Sequence, residues 1–137
     1  MRRVSAARSL SLFFAAGVVG AFASSLVAWL LGELGVPRAL GVSSLAPDGS
    51  GGWLYPRLVW GGIWGLLFVL PLASAVVRRG LLVSLAPTAF QLFVVYPAWM
   101  GKGVAGLELG LLTPLFVALY NAVWGVTASW WVQGTQG

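Results

Sequence analysis

The chain has 137 residues, of which 59% are hydrophobic and 8% charged, with a net charge of +5 and neither His nor Cys. A soluble domain carries about 25% charged residues, so a water-exposed globular surface is excluded. Thiol chemistry, imidazole acid–base catalysis, haem ligation and the usual zinc sites go with the missing His and Cys.

Four intervals, 9–32, 58–77, 80–101 and 109–137, contain no charged residue. A membrane-spanning helix needs about 20 apolar residues at about 1.5 Å rise each, and every interval reaches that length. The first predicted span is 9–31, with a stripe of small residues at Gly17, Gly20, Ala21, Ser24 and Ala28. Met1-Arg2-Arg3, an apolar run and Ala21-Phe22-Ala23 have the form of a signal peptide with its cleavage site. The apolar run continues past that site through 26–31, which favours a retained span. An outer loop follows over 33–52, punctuated by Pro37, Pro47 and Asp48-Gly49-Ser50-Gly51-Gly52.

The second predicted span, 53–77, contains Gly61 and Gly65 four residues apart. Arg78-Arg79-Gly80 reads as the tight turn that makes spans two and three antiparallel neighbours. Span three, 81–100, carries Ser84, Thr88, Gln91 and Ala98 and ends in the irregular run Pro97-Ala98-Trp99-Met100-Gly101-Lys102-Gly103. Span four, 109–131, carries Ala118, Asn121, Ala122, Gly125 and Ser129. The expected fold is an all-α integral membrane protein, a single domain over 1–137 with four transmembrane helices.

Small side chains let helix backbones approach closely, and dispersion contacts then replace the hydrophobic drive that lipid removes. Gly17, Gly20, Gly61, Gly65 and Gly125 are therefore expected at helix-packing positions, with Gly61-x-x-x-Gly65 as a subunit contact in the sharper alternative. Gln91 and Asn121 fall near mid-depth. They either hydrogen-bond spans three and four or line a path for a small solute. Arg57 and Lys102 sit at the outer boundary, where they snorkel or meet a headgroup or anion.

Arg2, Arg3, Arg8, Arg78 and Arg79 lie on one side of this arrangement and Arg38, Arg57 and Lys102 on the other. The richer side belongs in the cytoplasm, so both termini are expected there. Trp29, Trp53, Tyr55, Tyr96 and Trp99 then form an outer aromatic belt, and Phe13, Trp130 and Trp131 an inner one. The basic residues are scattered rather than clustered on one soluble element, which argues against nucleic acid. Glu33, Asp48 and Glu108 stand apart between hydrophobic runs, so neither a carboxylate pair nor an intramembrane carboxylate for proton coupling is expected.

Residues 59–65 align weakly with 119–125, and Ala28-Trp29 with Ala98-Trp99. These matches are either a parallel duplication of a helical hairpin or coincidence among Gly-, Trp- and Ala-rich helices. With Gly61/Gly65, Asn121/Gly125 and Pro97…Gly101-Lys102-Gly103, the chain resembles small four-span bacterial inner-membrane proteins of unknown function. That resemblance departs at Arg57, where those proteins often carry His, and at Asn121, where they carry Gly. It implies the architecture and no activity.

The functional expectation is a non-catalytic accessory, assembly or structural subunit with no cofactor and no metal. Its partners would be the lipid bilayer and other membrane-protein subunits or itself. The alternative is a small homo-oligomeric channel or transporter.

Overall fold

The computed structural model of the protein describes residues 5–42 and 51–136. The loop residues Pro47 to Ser50, with Asp48, and the terminal Arg2 and Arg3 lie outside them. Helix α1 spans Ala6–Glu33, and the Ser5 side chain caps it by accepting from the Arg8 backbone N–H at 3.2 Å. It runs unbroken through Ala21 and Ala23. The predicted small stripe is its buried face: Gly17, Gly20, Ala21, Ser24 and Ala28, joined by Phe13, Ala16 and Ser25. A single turn, α2 (Val36–Ala39), follows.

Helix α3 (Gly51–Gly65) tightens into a 3-10 turn, Leu66–Val69, and stops. The chain is extended at Leu70, with ψ at 129°. Pro71 is the cause: it brings no N–H to the ladder and its ring disfavours helical backbone at the residue before it. Helix α4 (Val76–Phe90) continues directly into a π-helical segment, Gln91–Trp99. A 3-10 turn at Val104–Gly106 leads to α5 (Thr113–Gln136).

Two sequence-based expectations are corrected here. Among the described residues three helices, Ala6–Glu33, Val76–Trp99 and Thr113–Thr135, are long and apolar enough to cross a membrane, where four spans are expected. The second predicted span, 53–77, is split between α3, its 3-10 end and an extended connector, because hydropathy alone does not register the proline break. Likewise, Arg78-Arg79-Gly80 is no turn. It lies in the opening turns of α4. Arg79 reaches back to the broken end of α3, where its Nη2 donates to the Phe68 carbonyl and its guanidinium stands 5.4 Å from the Phe68 ring centroid.

The helices pack in the order α3, α1, α5, α4, each neighbouring pair antiparallel. Two glycine crossings hold the pairs at backbone contact. Gly17 and Gly65 abut where α1 meets α3, with Gly61 alongside, and Gly80 meets Gly125 where α4 meets α5. A side chain at any of these would collide with backbone or Cβ atoms of the facing helix. Gly20 likewise faces the Trp124 backbone, so all five predicted packing glycines are spent inside the chain. Toward the end that holds Ala6, the interior is an apolar cluster of Phe13, Phe68, Val83, Trp124, Ala128 and Val132. Phe13 and Tyr96, assigned above to the aromatic belts, are buried instead, whereas Trp29, Trp99, Trp130 and Trp131 are exposed.

Candidate functional site

The two outer helices of this row, α3 and α4, touch through the Trp64 and Phe90 rings, whose centroids lie 5.5 Å apart. Beside that contact the seam opens into a cleft of about 280 Å³. Ala21 and Ser24 of α1 and Asn121 and Trp124 of α5 line it from the two central helices. Trp60 and Trp64 line it from α3, and Phe90, Gln91, Val95 and Trp99 from the opposite edge. Small residues on α1 leave this space, since larger side chains at positions 21 and 24 would fill it.

Arg57 lines the cleft from α3. Its Nε donates to Ser25 Oγ at 3.1 Å, and its Cζ lies 4.7 Å from the Trp53 ring centroid. Cation–π contact of this kind gains strength when the cation is desolvated. Tyr96 and Tyr120 are within electrostatic reach of the same guanidinium. The Tyr120 hydroxyl is buried with no hydrogen-bond partner among the described residues, as is the Thr113 hydroxyl. The structure thus separates the two predicted boundary cations. Lys102 is exposed on the loop after the π-helical segment, while Arg57 is half-buried against α1.

Gln91 opens the π-helical segment, and Asn121 Nδ2 donates to Gln91 Oε1 at 2.6 Å. This bond joins the second and third long helices. The pair also faces the cleft, so packing and lining are not exclusive roles for it. Thr88 and Ser84 above them satisfy their hydroxyls on backbone carbonyls of α4, at 2.7 Å each. Ala98 and Ala118, placed on the small stripes by sequence, are exposed.

The π-helical segment widens the backbone beside the cleft. Pro97 sits within it and contributes no N–H, and its end is tied by Met100 N–H to the Val95 carbonyl at 2.9 Å and Lys102 N–H to the Tyr96 carbonyl at 2.8 Å. Such segments are rare and concentrate at functional sites.

Sequence reasoning missed Ser25, Trp60, Trp64 and Phe90 as parts of one site. A signal was present for α3: Arg57, Trp60, Gly61 and Trp64 stand at i, i+3, i+4 and i+7, one face of a helix. Chemically the cleft offers guanidinium and carboxamide donors against indole faces, a set suited to binding. No protein-family model, curated protein or solved structure matches the chain.

Proposed function

We propose that the protein is a non-catalytic membrane component: an accessory, assembly or structural subunit that docks on the spans of another membrane protein. The one-sided packing of the Val76–Trp99 helix carries this reading. It rests chiefly on α5, and 22% of its most apolar stretch is buried, against 39% and 44% for the other two long helices. Leu81, Leu82, Leu85 and Phe93 project from its free side. The glycines are already engaged within the chain, and this large-residue face, on the least covered of the three long helices, is the one we assign to a partner. The absence of His and Cys from the sequence supports a packing role over chemistry. Antiparallel α1 and α5 bring the helix ends Ala6 and Gln136 to one side, with α3 returning the chain between α1 and α4. We assign that side to the cytoplasm on the basic-residue count, and the bilayer to a bacterial inner membrane on the resemblance alone.

A transport role would draw on the cleft instead. What weighs against a path through one chain is the filled interior around Phe68, Val83, Trp124 and Ala128 on the inner side of it.

A photo-crosslinking residue at Leu85 or Phe93, followed by purification in mild detergent, tests the subunit reading. The expected product is a stoichiometric crosslink to a second membrane protein, absent when the probe stands at Leu26 on the exposed side of α1. Crosslinks to copies of this chain alone, with a discrete homo-oligomer in detergent, would overturn it in favour of self-assembly.

A further inference from the structure

We propose that the cleft between α3 and α4 is a binding site for one anionic phospholipid, its phosphate held by Arg57 and part of one acyl chain lying against Trp64 and Phe90. This goes beyond the subunit reading and does not depend on it.

The charge is the first reason. A guanidinium packed against a membrane-spanning helix below the headgroups is costly unless something satisfies it, and it marks a site by default. Arg57 uses Nε on Ser25 and one face of its plane on Trp53. Among the described residues its terminal nitrogens form no hydrogen bond and no carboxylate pairs with it. A guanidinium edge fixed in this way is set up for two parallel hydrogen bonds to a phosphate.

Depth is the second reason. Helix α1, at 28 residues, is about 42 Å long, about 6 Å longer at each end than a hydrocarbon core of about 30 Å. Ser25 lies eight residues before Glu33, about 12 Å along the helix and hence about 6 Å below the headgroup boundary. With Nε held on Ser25, the terminal nitrogens of Arg57 and a hydrogen bond of about 2.8 Å close most of that gap, so a phosphate drawn slightly below the boundary is within reach.

Shape is the third. The seam between α3 and α4 faces the bilayer, so a lipid enters sideways without crossing water. A volume of about 280 Å³ falls just below the usual range of ligand pockets, roughly 300–1,000 Å³. It takes a headgroup and a length of one chain and leaves the second chain in the bilayer.

Native mass spectrometry of the full chain tests this, with phosphatidylglycerol, phosphatidylcholine and inorganic phosphate offered separately. One phosphatidylglycerol should be retained about tenfold more tightly than phosphatidylcholine, whose phosphate accepts the same hydrogen bonds but whose choline cation cancels the net charge and is repelled by the guanidinium. Arg57→Gln should lose that preference and Arg57→Lys keep part of it. Arg38→Gln, an exposed cation elsewhere, should keep all of it. The lipid comparison on the unaltered chain needs no variant, so misfolding of Arg57→Gln does not shield the proposal. Equal retention of both lipids, or an undiminished preference in folded Arg57→Gln, would overturn it. Retention of inorganic phosphate as tight as that of phosphatidylglycerol would overturn the lipid assignment and leave a free-anion site.

Discussion

Replacing Gly61 by Ala tests whether the α1–α3 crossing holds the monomer together or serves association. A Cβ built at Gly61 lands on Ala21 Cβ, 2.9 Å from the Gly17 carbonyl oxygen and 3.3 Å from Trp124 Nε1. Backbone and a Cβ cannot rotate away, so the helices must separate. Overpacking of this kind costs roughly 1–3 kcal/mol. Separation also strains the 3.0 Å hydrogen bond from Trp124 Nε1 to the Gly17 carbonyl, a further 0.5–1.5 kcal/mol on the order of a typical bond. The better helix propensity of Ala returns about 1 kcal/mol. The net expectation is a loss of about 0.5–3.5 kcal/mol in a reversible unfolding titration in mixed micelles, with association unchanged. Gly134→Ala is the control, since nothing lies within 4 Å of a Cβ there, and it should be neutral or slightly stabilising. A Gly61→Ala protein as stable as the original would refute the crossing geometry, and a stable monomer that no longer associates would move this face to a subunit contact.

Gln91→Leu and Asn121→Leu should each lower stability modestly, and the double-mutant cycle should show a coupling of about 0.6 kcal/mol, at most about 1.7 kcal/mol. Strict additivity would deny the Gln91–Asn121 bond. Arg79→Met should cost about 1–3 kcal/mol, because the Phe68 carbonyl loses a charged donor, and hydrogen exchange should rise at the 3-10 turn Leu66–Val69. Unchanged exchange there would mean that Arg79 does not hold the broken end of α3. Reporter fusions should place the C-terminus in the cytoplasm and an insertion at Ser50 outside it. Liposomes holding the protein alone should show no ion or solute flux, and reproducible flux that Asn121→Leu removes without unfolding would favour the channel.

Much of this protein was determined by local chemistry. The α1 face at Gly17, Gly20, Ala21, Ser24 and Ala28 is legible because small residues at helical spacing have one low-energy use in lipid, close packing. The pairing of Gln91 with Asn121 follows for a similar reason, since a carboxamide at mid-depth must find a partner. Hydropathy, however, does not distinguish an apolar helix from an apolar extended strand of connector. The stretch from Leu70 to Ala75 is apolar either way, and only tertiary structure decided that α3 ends early and that Arg79 closes its end. The cleft depended on tertiary structure more heavily still. Arg57 reads as a boundary cation until the Gly17–Gly65 crossing sets which face of α3 meets α1 and turns its guanidinium onto Ser25. An open seam between α3 and α4 is a property of how four packed helices share neighbours, and that sharing is set by interhelical contacts that no single segment encodes.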